Sequence, residues 1–416
     1  MWLSSEKVRR SLVIGSELEC HRDRDELKGK VRFYLGREDL RIAIGRAAQR
    51  RRITTMPGPG DLSACFSRLA WRITNYQITT NQNDSRMPRI SVIMPVYNAA
   101  PYLPAAVQSV FDQTLQEWEL IIVDDGSTDE SLNIATAVRD PRVRLLRLGS
   151  NQGAAAAKNF GIEQVRSKFV AFLDADDVAN PRRLERQLAV LEKVPNTIVG
   201  TRAEVIDAND QHRGFAKPLP TGNRFREMLL FRNCLVQSSI ALGRESLHSL
   251  RFRSEFEPAE DYDLWVRLID YCRIIVLEET LVRYRVHGRG VSARSPTRMV
   301  EAVDAIHRRL LSEFDPRLDP QLHRQIGEPP FPVSESWLRS VEVHLSRILA
   351  TNTRFEAAAL RAAVQSLWLA ACQQAWTLGW KSLGIYHSSL LSRRTPADYF
   401  RLAWLCARSR ENPFRQ

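Results

Sequence analysis

The chain has 416 residues, 44% of them apolar and 26% charged, with a net charge of +12. That is enough apolar material for two or three domains with a large core, and it excludes a disordered or fibrous chain. Six scattered cysteines without a C-x-x-C exclude a zinc ribbon and a disulfide framework, so reduced, buried thiols are expected.

Residues 1–86 hold 17 Lys/Arg and 10 Asp/Glu and show no hydrophobic period. Arg50-Arg51-Arg52, Pro57-Gly58-Pro59-Gly60 and Thr79-Thr80-Asn81-Gln82-Asn83-Asp84 read as charged, turn and linker material. Only Asp39 to Ala48 suggests a short basic helix. A basic, poorly packed extension is the expectation, with Met87 as an alternative start of the chain. No apolar leader follows Met1. The extension lacks the aromatic or groove-reading elements of a nucleic-acid binder, so no nucleic-acid partner is expected.

From residue 89 the pattern sharpens. Strands are expected at Ile90–Met94, Glu119–Val123, Val143–Leu148, Lys168–Leu173 and from Thr197. Between them, helices are expected over Pro101–Gln113, from a Ser127 or Thr128 cap to Ala137, over Gly153–Val165 and over Pro181–Lys193. Alternation at these lengths predicts βαβ units and a mostly parallel sheet.

In such sheets ligands bind beyond the carboxyl ends of the strands. Three strands end in Pro95-Val96-Tyr97-Asn98, Asp124-Asp125-Gly126-Ser127 and Asp174-Ala175-Asp176-Asp177. These clusters should share one rim. Packed carboxylates repel one another unless a cation joins them, and hard oxygens suit Mg2+ or Mn2+. The first turn has no glycine, so neither a dinucleotide fingerprint nor a P-loop is present. A nucleotide held by an aromatic face, carboxylates and a metal is what remains.

Ser91-Val92-Ile93-Met94-Pro95-Val96-Tyr97-Asn98, Ile121-Ile122-Val123-Asp124-Asp125-Gly126-Ser127 and Phe172-Leu173-Asp174-Ala175-Asp176-Asp177 together resemble the family 2 inverting glycosyltransferases of GT-A fold. The resemblance runs from about Arg89 to Ser292. It implies a nucleotide-sugar donor, a divalent metal on the diphosphate, and a GT-A type α/β domain over 87–294 followed by a helical region over 295–416. Pro95 and Tyr97 would pack near the base and Asp125 would hydrogen-bond it. Asp174 would meet the ribose. Asp176 and Asp177 are the candidate metal ligands, and Asp177 can stand in either role. Lys158 occupies a position where the family often has Arg, keeping the charge without the bidentate fork.

Residues 203–256 read as irregular, a place for acceptor recognition. Pro258-Ala259-Glu260-Asp261-Tyr262-Asp263-Leu264-Trp265 reads as acids opening an apolar helix. The resemblance makes Asp261 the catalytic base, with Glu260 orienting or capping and Asp263 facing solvent. Arg283-Tyr284-Arg285-Val286-His287-Gly288 resembles the family's closing motif, with Arg285 and His287 reaching the diphosphate.

Beyond Ser295 the period is helical at Met299–Phe314, Ser334–Leu349, Phe355–Gln374 and Asp398–Ala407. Residues 362–380 are uncharged but carry five polar side chains, so a packed helix is expected there rather than a membrane span. Trp368, Trp376 and Trp380 are expected between helices, with a membrane-surface or partner-docking face as the alternative. The acceptor implied is a glycan or a lipid-linked molecule on the cytoplasmic side, with peripheral membrane association. A catalytically silent nucleotide-sugar-binding relative is the competing reading.

Overall fold

The computed structural model describes residues 87–216, 224–247, 250–288, 290, 295–327, 330 and 332–408. The basic extension with its expected helix, and Pro218, Pro220 and Gly222, lie outside the described residues. In chain order the elements are β1 (Ile90–Val96), α1 (Leu103–Phe111), β2 (Trp118–Asp124), α2 (Ser131–Ala137), β3 (Val143–Arg147), α3 (Ala154–Glu163), β4 (Phe169–Phe172), β5 (Val178–Ala179), α4 (Arg183–Leu191), β6 (Thr197–Ile206), β7 (His212–Phe215), α5 (Phe225–Met228), β8 (Ala241–Gly243), α6 (Glu260–Leu268) and β9 (Arg273–Arg285). Among the described residues six further helices follow: α7 (Pro296–Ser312), α8 (Pro320–Gly327), α9 (Glu335–Ala350), α10 (Ala357–Gln374), α11 (Trp380–Ser388) and α12 (Pro396–Arg408).

The sheet order is β3-β2-β1-β4-β8-β6-β9-β5, with β7 on β6. β3, β2, β1 and β4 are mutually parallel, as expected from their βαβ connections. The other half is mixed: β8 runs antiparallel to both β4 and β6, and β5 antiparallel to β9. β9 pairs parallel with β6 along most of its length, and a register shift lies near Thr201 and Arg202. Ile274–Leu277 thus form the beginning of one long irregular strand.

The period of two along the strands divides the core. Ile90, Val92, Met94 and Val96 pack with Leu103 and Val107 of α1 and Leu184 and Leu188 of α4. Ile93, Val123, Val170 and Phe172 face the other way, onto α3, α6 and the C-terminal helices. α3 lies close to the sheet because residue 161 is glycine: a Cβ there would come within 2.7 Å of an Ile93 methyl. Trp265 of α6 is fully buried in this layer. Cutting it to Ala would cost about 3–5 kcal/mol.

The C-terminal helices share this same core cluster, through Ile306, Ile326, Leu345 and Trp368. Trp368 is buried as expected, whereas Trp380 is 47% exposed. Two other expectations need correction. Asp263 does not face solvent: it is 1% exposed and paired with Arg267 at 2.6 Å and Arg309 at 3.2 Å. α2 begins at Ser131 rather than at a Ser127 or Thr128 cap, because Ser127 and Thr128 are tied to the neighbouring turn.

Candidate functional site

The carboxyl ends of β1, β2 and β4 lie along one rim. Near the end of β1, Pro95 is half-buried, and Tyr97, just beyond the strand, is exposed. Asn98 sits at φ 52°, a left-handed conformation that Asn tolerates. Its Oδ1 accepts the Thr128 N–H at 2.8 Å, and its own N–H donates to the Ser127 hydroxyl. The β1 turn is thereby stapled to the β2 turn.

At the end of β2, Asp125 is buried and accepts the backbone N–H groups of Gln152 at 2.7 Å and Gly153 at 2.9 Å. Burial pushes its carboxyl above the usual range, against the pull of those two bonds. Gly153 has φ +95°, and a Cβ there would collide with the Glu257 carboxylate. Glu257 in turn accepts the Ala155 N–H at 2.7 Å and so covers the N-terminus of α3. No local sequence signal marks Glu257 for this position, since its partner lies 102 residues away.

The four residues after Leu173 divide into distinct roles. Asp174 is half-buried, and its N–H donates to the Ser238 hydroxyl at 2.9 Å. Burial raises its carboxyl to about 6, while Lys158 pulls it down and Asp176, Glu260 and Asp261 push it up. Asp176 points its Oδ2 at Nε2 of His287, 2.9 Å away. Asp177 is fully buried: Oδ1 accepts the Arg285 N–H at 2.7 Å, and Oδ2 has no hydrogen-bond partner among the described residues. Burial, then Asp176 and Asp174, hold its carboxyl well above the ordinary value.

The short β5 explains this partition. Val178 pairs with Arg283 and Ala179 with Val282, which carries the preceding aspartates alongside Arg285 and His287. Arg285 is 4% exposed, and its guanidinium is occupied by the Asp176 and Asp207 carbonyls and the Asp210 carboxylate. It also lies 4.8 Å over the Tyr102 ring. Beneath the strand end, the buried Arg183 donates to the Phe172 carbonyl at 2.7 Å. Burial pushes its guanidinium down to about 9, against the pull of Asp177 and Asp174. Nothing in the local sequence announces this residue as buried.

The other side of the site comes from α6. Asp261 is half-buried in its first turn. Its Oδ2 accepts the Asn233 amide at 2.9 Å and its Oδ1 accepts the Tyr262 N–H at 2.6 Å. Glu260 is buried and paired with Lys158 at 2.7 Å. Burial alone would lower the Lys158 ammonium, but Glu260, Asp174 and Asp261 outweigh it and keep it charged. This buried cation thus stands among three acids.

The donor set at Asp176 and His287 is one carboxylate and one imidazole, within one hydrogen bond of each other. Mg2+ and Mn2+ commonly take one or two protein carboxylates and complete their shell with phosphate oxygens and water, so the Asp176 carboxylate fits such an ion, and the imidazole beside it suits Mn2+ better than Mg2+. Among the described residues no group of three His, Cys, Asp or Glu side chains forms a ready-made metal cage. The described helices include none long and apolar enough to cross a membrane.

Comparison with known proteins gives a consistent result. The model of "Glycosyl transferase family 2" matches residues 91–249. An uncharacterized glycosyltransferase of Rickettsia felis is 31% identical over 216 residues, which are 50% of this chain and 36% of that protein. The chain thus spans only about a third of that relative. The Escherichia coli protein described as UDP-Glc:alpha-D-GlcNAc-diphosphoundecaprenol beta-1,3-glucosyltransferase WfgD is 32% identical over 207 residues, 49% of this chain and 79% of WfgD. Among solved structures, S. aureus TarS 1-349 aligns at 18% identity with a TM-score of 0.46, over 79% of this chain and 93% of that one.

Proposed function

The chain belongs to glycosyltransferase family 2, and from that premise we propose that it transfers a sugar with inversion from a nucleotide-diphospho-sugar to an acceptor hydroxyl. The observation that carries the reading is the meeting of Asp174, Asp176 and His287 with Asp261 at one end of the sheet. In this reading Asp261 takes the acceptor proton as that oxygen forms its bond to the anomeric carbon. The bond from that carbon to the diphosphate oxygen breaks on the opposite face, so one displacement inverts the centre. Asn233 holds the base, and Lys158 with Glu260 fixes the first turn of α6 beneath it.

Asp176 and His287 would hold Mg2+ or Mn2+, whose chemistry there is to neutralise charge on the leaving diphosphate. Asp177 is turned inward and the Arg285 guanidinium is held by the Asp176 and Asp207 carbonyls and the Asp210 carboxylate. Both then brace the β5–β9 pairing rather than touch the donor. Tyr97 remains the exposed aromatic face for the base, next to Asp125 on the adjoining strand end.

WfgD, by its name, acts on a diphosphoundecaprenol-linked acceptor. For this chain we take the same class, a lipid-linked or glycan acceptor, reached from the cytoplasmic side by a peripherally associated enzyme of envelope polysaccharide synthesis. A silent nucleotide-sugar-binding relative would be free to lose the base, yet Asp261 is present and held by Asn233. The test is a panel of nucleotide-sugars with Mn2+, Mg2+ or EDTA, read as nucleotide diphosphate release by wild type and Asp176→Ala. Metal-dependent release from one donor, lost in the variant, is the expected result. Folded protein that neither binds nor hydrolyses any donor would overturn the reading.

A further inference from the structure

The last two helices distribute charge and aromatic surface in an uncommon way. α11 and α12 pack on each other, with Nδ1 of His387 2.8 Å from the Tyr399 hydroxyl. On α12 the buried stripe is Asp398, Leu402 and Cys406, at helical spacing. The opposite stripe is Ala397, Phe400, Arg401, Trp404 and Ala407, all exposed. Phe400 is 74% and Trp404 49% exposed. In the connection between the helices, Leu390 is 87% exposed. A helix whose outer face met only water would carry polar residues there. Single exposed apolar residues are ordinary, but large ones gathered on one helical hairpin mark a surface that meets something.

The charge says what it meets. Asp398 is the one acid between residues 380 and 407. It is buried, taken by the Tyr386 hydroxyl at 3.2 Å and by Arg393 at 3.4 Å. Arg394 and Arg401 stand exposed, and Lys381 is exposed 3.9 Å from Glu335 of α9. The hairpin's outward charge is therefore positive around an aromatic face. Trp beside Lys and Arg is the composition that settles at a lipid headgroup layer. The 13 residues of α12 span about 20 Å, too short to cross a bilayer core of about 30 Å. Such a helix lies in the interface plane.

We propose that the α11–α12 hairpin is a docking surface for anionic phospholipid bilayers, with Phe400 and Trp404 seated among the headgroups and Arg394 and Arg401 on their phosphates. The proposal rests on the peripheral-membrane reading above and names the surface that performs it. Docked in this way, the C-terminal helices hold the catalytic domain where a lipid-linked acceptor is found.

The experiment is co-flotation of the full chain with vesicles of phosphatidylcholine alone and of phosphatidylcholine with phosphatidylglycerol, at low and high salt. Wild type should float with the anionic vesicles and be released by salt. Phe400→Ser/Trp404→Ser and Arg394→Glu/Arg401→Glu should each bind roughly tenfold less. Both variants should keep donor hydrolysis in solution. Failure of wild type to float, or variants that float equally well, would overturn the proposal. So would sedimentation showing a wild-type dimer that Phe400→Ser/Trp404→Ser turns into a monomer, because the occupant would then be a second copy. Flotation and donor hydrolysis are read separately. A chain that docks without hydrolysis refutes the activity alone, and one that hydrolyses without docking refutes the surface alone.

Discussion

Nζ of Lys158 lies 2.7 Å from Oε1 of Glu260, and both side chains are buried. The pair joins α3 to the first turn of α6, one residue before Asp261. A buried pair of this kind is weak evidence for net stability, but removing one partner strands the other charge. Lys158→Met is expected to cost roughly 3–5 kcal/mol in urea denaturation, and Glu260→Met a similar amount. The double variant should be far less destabilised than the sum of the two. Additive single effects would mean that the contact carries no coupling.

Among the described residues, Asp261 is the acid of the α6 first turn that is neither buried nor ion-paired: Glu260 belongs to Lys158, and Asp263 to Arg267 and Arg309. Asp261→Asn should therefore lower kcat by about 10²–10⁴-fold while the donor KM changes little. Asn233→Ala leaves the carboxylate in place without its amide brace, and should lose about ten- to a hundredfold in kcat. Wild-type turnover in Asp261→Asn would place the base elsewhere.

What is legible in the sequence is what local pattern encodes. Apolar runs ending in acids mark β2 and β4, and their alternation with helices places Asp125, Asp174 and Asp176 on one rim. What is not legible depends on distant partners. Asp177 looks like one more carboxylate of the cluster until the two-residue β5 pairs with β9 and buries it against the Arg285 N–H, 108 residues on. Asp263 looks solvent-facing until Arg309 of α7 closes over it. Arg183 carries no local sign of burial, because the carbonyls that hold it belong to β4 and to the residue before β8.

Those placements separate two roles for the Asp174–Asp177 cluster. His287→Ala and Asp176→Ala should each weaken Mn2+ binding in the presence of nucleoside diphosphate by at least ~10–100-fold in calorimetric titration. Asp177→Asn should leave that affinity near wild type, because an amide oxygen can still accept the Arg285 N–H. Asp177→Ala should instead cost about 1–3 kcal/mol of stability, since it orphans a buried backbone donor. Chelation with EDTA should abolish turnover and leave the fold intact. Loss of metal binding in Asp177→Asn would return Asp177 to the metal.

Three buried histidines join the C-terminal helices to α6 and to the segment after α5. Nε2 of His307 on α7 is 3.0 Å from the Tyr262 hydroxyl, one residue after Asp261. His323 on α8 reaches the Leu230 carbonyl at 2.9 Å, and its Nδ1 is 3.0 Å from Nε2 of His344 on α9. Burial lowers His323 to about 3 and His344 to about 4, and holds His307 well below its ordinary value. The neighbouring charges reinforce this: Arg324 faces His307, Arg347 faces His344, and Asp304 is already taken by Arg324. The rings are thus neutral when folded, whereas in the unfolded chain they titrate near 6.5. Their contribution to stability is complete above pH 6.5. It falls as the pH drops, by about 1.4 kcal/mol per histidine per pH unit, until the folded values near 4 and 3 are passed. One unit below 6.5 the three together remove up to about 4 kcal/mol. Urea midpoints measured between pH 7.5 and 4.5 should fall steeply below 6.5. His344→Gln keeps an N–H donor for His323 but cannot titrate, so its slope should be shallower by about one proton. Equal slopes in wild type and variant would mean that His344 does not titrate with unfolding, and that this junction is not what acid opens.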